Sequence, residues 1–87
     1  MTEKEVAAAV EDFVRRNFGV SAADQSFSQT VDLFEDGYID SIGVVELLEF
    51  IRATFGVEVP EEELFSPEFA SIEGISRIVA RSAPAGR

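Results

Sequence analysis

Ser41 and the carboxylates around it are the side chains of this sequence best placed to do chemistry. Ser41 follows Asp40 at the start of a helical pattern. Between Arg16 and Arg52 no basic residue occurs, while Asp24, Asp32, Glu35, Asp36, Asp40, Glu46 and Glu49 are all acidic. A hydroxyl at a helix start has two physical uses. It can accept a backbone N–H as an N-cap. It can also be an attachment point, where a phosphodiester would sit at the positive end of the helix beside unpaired N–H groups. Ser41 as a nucleophile acting within the chain lacks the usual base, because the sequence has no His and its single Lys, Lys4, lies far away in sequence, and a stand-alone enzyme is the least favoured reading. Attachment chemistry at Ser41 would therefore be done by another enzyme. The string from Asp32 to Gly43 also fails as a calcium loop. Phe34 takes its third position and Gly43 its twelfth, where an oxygen ligand and a bidentate Glu are required. No metal site is expected.

Composition narrows the function classes further. Seven Lys and Arg against 17 Asp and Glu leave a net charge of −10 over 87 residues. That balance opposes nucleic-acid binding, which draws its affinity from neutralising phosphates, and opposes anionic membrane surfaces. The absence of Cys removes disulfides, thiolate nucleophiles and thiolate metal sites. A hydrophobic content of 46% is too high for a disordered acidic tail. No apolar run approaches the ~20 residues that span a bilayer, and the acidic N-terminus is unlike a secretory signal. The expectation is a cytoplasmic monomer with one domain over residues 1–82 and a flexible tail over 83–87.

Helices must position these groups. Thr2 and Glu5 form a capping-box pattern, and Val6, Ala9, Val10, Phe13 and Val14 recur at helical spacing, which predicts a first helix over 3–18 ended by Gly19. Residues 19–40 have no sustained period and form a long loop, ordered by Val31, Leu33, Phe34 and Ile39. A second helix, capped by Asp40 or Ser41, runs to Phe55 and stops at Gly56. Val44, Leu47, Leu48, Ile51 and Phe55 share its core face. Its opposite arc carries Ile42, Val45, Glu46, Glu49 and Ala53 into solvent. Pro60 opens a short turn over EEELF, Ser66-Pro67 repeats that start with Phe69 buried, and Ser71 caps a last helix with Ile72, Ile75, Ile78 and Val79 inward. Phe34, Phe50, Phe55, Phe65 and Phe69 either line a cavity between the helices or, as the reading preferred here, are plain core aromatics. Tyr38 either packs the loop or leans toward the Ser41 site. The class is all-α, with three main helices and one short helix.

The stretch LFEDGYIDSIGVVELLEFIRATFGVEVPEEELF resembles the acyl carrier protein family, and the likeness extends over most of the chain. Asp40-Ser41-Ile42 is similar to the family's Asp-Ser-Leu signature, and Val45-Glu46-Leu47 and Phe55-Gly56 sit where the family places them. The resemblance implies a four-helix bundle whose Ser41, beside Asp40, receives 4′-phosphopantetheine from coenzyme A through a phosphopantetheinyl transferase. The thiol of the arm would carry an acyl or aminoacyl thioester, so the chain is a carrier and not an enzyme. Ile42, Val45, Glu46 and Glu49 match the family's docking helix. Implied partners are the transferase, a loading adenylating ligase or acyltransferase, and a downstream acyltransferase or synthase. EDGYIDS with GVVELLEF is closest to D-alanyl-carrier-type and discrete carriers of polyketide and nonribosomal peptide metabolism.

Two positions depart from the family pattern. Arg52 lies where housekeeping carriers are often acidic. Gly43 replaces an acid or polar residue in the first turn, at a cost of up to roughly 1 kcal/mol relative to Ala. The competing reading is an unmodified acidic helical module that binds a basic protein, with Ser41 only a cap.

Overall fold

The computed structural model describes residues 2–82. The expected tail over 83–87 lies outside the described residues. Four helices occur in chain order: α1 (Glu3–Asn17), α2 (Ser41–Phe55), α3 (Glu61–Leu64) and α4 (Ile72–Ser82), with a 3₁₀ turn at Pro67–Ala70 between the last two. Among the described residues there is no strand. This is the all-α bundle of three main helices and one short helix that the periodicity predicts.

Local chemistry sets the ends of each element. The Thr2 hydroxyl accepts the Glu5 N–H and the Glu5 carboxylate accepts the Thr2 N–H, closing the capping box of α1. At the other end Phe18 is the C-cap and Gly19 adopts a φ of 68°, letting the Val20 N–H reach back to the Arg15 carbonyl. α1 thus ends one residue before the expected position. The Asp40 carboxylate accepts the Gly43 N–H at 2.8 Å, so Asp40 caps α2 and Ser41 becomes its first helical residue. Gly56, with φ 68°, closes α2. The Ser71 hydroxyl accepts the Gly74 N–H and starts α4.

The core lies between α1 and α4, the most extensive helix pair. Val6, Val10 and Val14 of α1 and Ile72, Ile75, Ile78 and Val79 of α4 are fully buried, with Leu47 and Ile51 of α2 completing the interior. The α1 stripe differs in one place from its expected form: Ala7 is buried and Ala9 only half-buried. Val44, Leu48 and Phe55, expected in the α2 core face, are also half-buried. They stand at the edge of that face, where α2 meets solvent because it packs on fewer neighbours.

The long loop is anchored by burial and by hydrogen bonds. Phe27, Leu33 and Ile39 enter the core. The Leu33 N–H donates to the Ala70 carbonyl at 2.7 Å, and the Glu73 N–H donates to the Gln29 carbonyl at 2.8 Å. Gln29 also donates to Glu11 at 2.9 Å, and with Arg15 this lowers the Glu11 pKa below its ordinary value. Tyr38 packs edge-on against Phe27 and donates its hydroxyl to Asp24 at 3.0 Å. Desolvation and the Asp24 carboxylate raise its pKa. Of the two roles expected for Tyr38, the structure shows loop packing.

The Gly43 departure has a structural reason. A Cβ at this position would lie 2.7 Å from Cε1 of Phe18 and 2.9 Å from Cγ2 of Ile39. The first turn of α2 therefore approaches the end of α1 and the loop so closely that any side chain here would force the Phe18 ring or Ile39 to shift. The helix-propensity cost is the price of that approach.

Candidate functional site

Ser41 sits where the loop delivers the chain to α2. Ile39 is buried and the Asp40 carboxylate is occupied by the Gly43 amide, so the backbone on both sides of Ser41 is held. Ser41 itself is exposed, and its hydroxyl has no hydrogen-bond partner among the described residues. A capping hydroxyl would be turned into the helix end; this one is available to solvent. The first N–H groups of an α-helix have no intrahelical acceptor. In α2 Asp40 takes the Gly43 N–H with its side chain and the Val44 N–H with its carbonyl, which leaves those of Ser41 and Ile42 without an acceptor among the described residues. A free hydroxyl next to two free donors at a helix N-terminus suits an anionic substituent on that oxygen.

The outward arc is as periodicity predicts. Ile42 is 73% exposed and Val45 62% exposed, and Glu46 and Glu49 are exposed beside them. Glu46 makes no ion pair among the described residues, whereas Glu49 meets Arg52 at 3.0 Å on the same helix. Such an exposed pair contributes little to stability and exchanges readily for an outside partner. Glu35, Asp36, Glu58, Glu61 and Glu62 are also exposed.

A depression of about 300 Å³ opens beside Ser41, walled by Phe34, Val44, Leu64, Phe65 and Phe69. From the sequence, a cavity lined by these phenylalanines is the less favoured alternative to a core role, because hydrophobicity alone does not separate the two. Phe69 alone of the five expected core aromatics is buried; Phe34, Phe50 and Phe55 are partly covered. Phe65 is corrected outright, being 81% exposed. It follows α3, a four-residue helix with no buried residue, so nothing lies above its ring. The available signal was its place between EEEL and Ser66-Pro67, a segment too short and too polar to enclose an aromatic ring.

The far side of α3 is charged. Glu68 in the 3₁₀ turn accepts from Arg77 at 2.9 Å and from Arg81 at 2.9 Å, which holds its carboxyl at about 2. Arg81 also donates to Glu63 of α3 at 3.2 Å, and both guanidinium pKa values are raised by these carboxylates. The basic residues of α4 are thus engaged locally and do not neutralise the acids around Ser41.

Among the described residues no cluster of three or more His, Cys, Asp or Glu could hold a metal ion, and no helix is long and apolar enough to cross a membrane. Comparison with known proteins adds the chemistry that these groups lack. The phosphopantetheine attachment site family matches residues 8–79, from within α1 to near the end of α4. Two anthracycline acyl carrier proteins, one from Streptomyces peucetius and one from another Streptomyces strain, are each 33% identical over 57 residues, covering 66% of this chain and 68% of theirs. Matched over most of its length by the phosphopantetheine attachment site family and by acyl carrier relatives, the chain belongs to the acyl carrier proteins, carriers of 4′-phosphopantetheine and not catalysts.

Proposed function

We propose that Ser41 is the phosphopantetheine attachment point, that Asp40 positions it, and that Ile42, Val45, Glu46 and Glu49 form the surface read by partner enzymes. The observation that carries this reading is the division of labour at the start of α2. Asp40 caps the helix, so the Ser41 hydroxyl stays exposed and without a partner among the described residues. An attached phosphodiester would meet the Ser41 and Ile42 amides and the positive end of α2. The arm would supply the nucleophilic thiol that a sequence without Cys lacks.

The partners inferred are a phosphopantetheinyl transferase, a loading ligase or acyltransferase, and a downstream synthase or acyltransferase. The relatives are by name anthracycline carriers, which supports an acyl cargo of polyketide metabolism over an aminoacyl one. Apolar Ile42 and Val45 framed by Glu46 and Glu49 suit a partner with an apolar spot inside a basic rim.

Incubation with coenzyme A, Mg²⁺ and a broad-range phosphopantetheinyl transferase tests the reading. Intact-mass analysis is expected to show one added phosphopantetheine on the wild type and none on Ser41→Ala. Glu46→Lys is expected to slow loading and flatten its salt dependence without preventing it. A wild type that stays unmodified would overturn the assignment.

A further inference from the structure

The depression beside Ser41 has one wall that is poorly supported by packing. Phe34 and Phe69 belong to segments tied into the core, and Val44 to α2. Leu64 of α3 also packs on the core while staying half-buried, but Phe65, the C-cap of α3, is 81% exposed and packs on nothing in the core. That helix has four residues, none buried, and no side-chain cap at Pro60. A helix so short is not stable on its own. Among the described residues, its one hydrogen-bonded link to α4 is the pair of contacts from Arg81 Nη2 to the Glu63 carboxylate, at 3.2 and 3.3 Å. The neighbouring 3₁₀ turn is secured differently: Glu68 is held by Arg77 as well as Arg81, and the Ala70 carbonyl by Leu33.

We propose that Arg81 is a positioning residue for the Ser41 site, acting through Glu63 to hold the Leu64–Phe65 wall against the depression and so to set how well an acyl group on the arm is sheltered from water. The inference rests on Ser41 carrying the arm. Loss of Arg81 frees α3 but leaves the 3₁₀ turn tied by Arg77 and Glu68. Loss of Glu63 frees α3 and leaves every contact of Glu68. The two changes alter the net charge in opposite directions, so a shared effect comes from the link and not from the field of the protein.

The experiment uses the full chain loaded with a hexanoyl-phosphopantetheine arm and follows thioester cleavage by hydroxylamine, with free hexanoyl-pantetheine as reference. The wild type is expected to cleave more slowly than the reference. Arg81→Gln and Glu63→Ala are both expected to cleave about two- to fivefold faster than wild type, the range for losing one exposed ion pair. Arg52→Gln, which removes the Glu49 pair on α2, should match wild type. Equal rates in all four proteins, or a wild type no slower than the reference, would overturn the proposal while leaving the attachment reading intact. Should Ser41 accept no arm, the attachment reading fails, and with it the shelter. The link itself is then read by hydrogen exchange at the Ser66 amide, which donates to the Glu63 carbonyl at 3.1 Å. Faster exchange in Arg81→Gln and Glu63→Ala, with no change in Arg52→Gln, supports the link, and equal exchange rules it out.

Discussion

α2 and α4 begin from comparable material, two capped helices rich in isoleucine, leucine and valine, and end in opposite relations to solvent. α4 buries six of its 11 residues, and Ile72, Ile75, Ile78 and Val79 are all inaccessible. α2 is four residues longer and more apolar, yet buries only Gly43, Leu47 and Ile51. Its surplus apolar residues, Ile42 and Val45, stand in solvent next to Glu46 and Glu49. Charge divides in the same way. Arg77 and Arg81 of α4 are engaged with Glu63, Glu68 and Glu73, whereas Glu46 of α2 has no ion pair among the described residues. A protein selected for stability alone would bury its most apolar helix. The docking role proposed for this arc accounts for apolar and charged groups left exposed together on the helix that Ser41 begins.

Substitutions in the two helices test this contrast. Ile75→Ala removes a fully buried side chain of α4 and should cost about 3 kcal/mol of unfolding free energy in urea. Val45→Ala on α2 should stay within about 0.5 kcal/mol while slowing transfer to partner enzymes. If Val45→Ala destabilised as much as Ile75→Ala, the exposed arc would be part of the core and the contrast would fail.

The two buried glycines sharpen the comparison. At Gly74 an added Cβ would run into the Glu68 carbonyl, which belongs to the backbone of the 3₁₀ turn. Gly74→Ala must push that turn off α4, at about 2 kcal/mol. At Gly43 the obstacles are the Phe18 ring and an Ile39 methyl. Alanine also gains helix propensity there, so Gly43→Ala should cost less, about 1 kcal/mol, and should disturb the Ser41 amides, visible as chemical-shift changes.

The smallest effect concerns acid. The folded-state pKa of Glu68 is about 2, against an ordinary value of 4.5. A depressed carboxylate contributes stability above its unfolded pKa and loses it as pH falls through the folded one. The tie between the 3₁₀ turn and α4 should therefore weaken between about pH 4.5 and about pH 2. Glu68→Gln should flatten that part of the stability profile, as measured by urea midpoints.

Much of this was legible in the chain. The capping box at Thr2, the stops at Gly19 and Gly56, the Ser71 cap and the outward arc of α2 follow from rules spanning a few residues, and periodicity reads such rules directly. Three matters escaped it. Asp40 and Ser41 are equally good caps by composition, and only the folded backbone shows Asp40 in that role. Phe65 is as hydrophobic as Phe69, and its exposure depends on what lies above it. Gly43 looks like a weak point in a helix until the Phe18 ring is found against it.

The sequence by itself determined that this is an acidic helical domain with neither His nor Cys, and which residues share each helix face. Those properties depend on composition and on a repeat of 3.6 residues. Tertiary structure alone decided that the Ser41 hydroxyl has no partner among the described residues, that an apolar depression opens beside it, and that α3 is tied to α4 through Arg81 and Glu63. Each of these depends on groups far apart in the chain, and their meeting is set by packing, which no local pattern encodes.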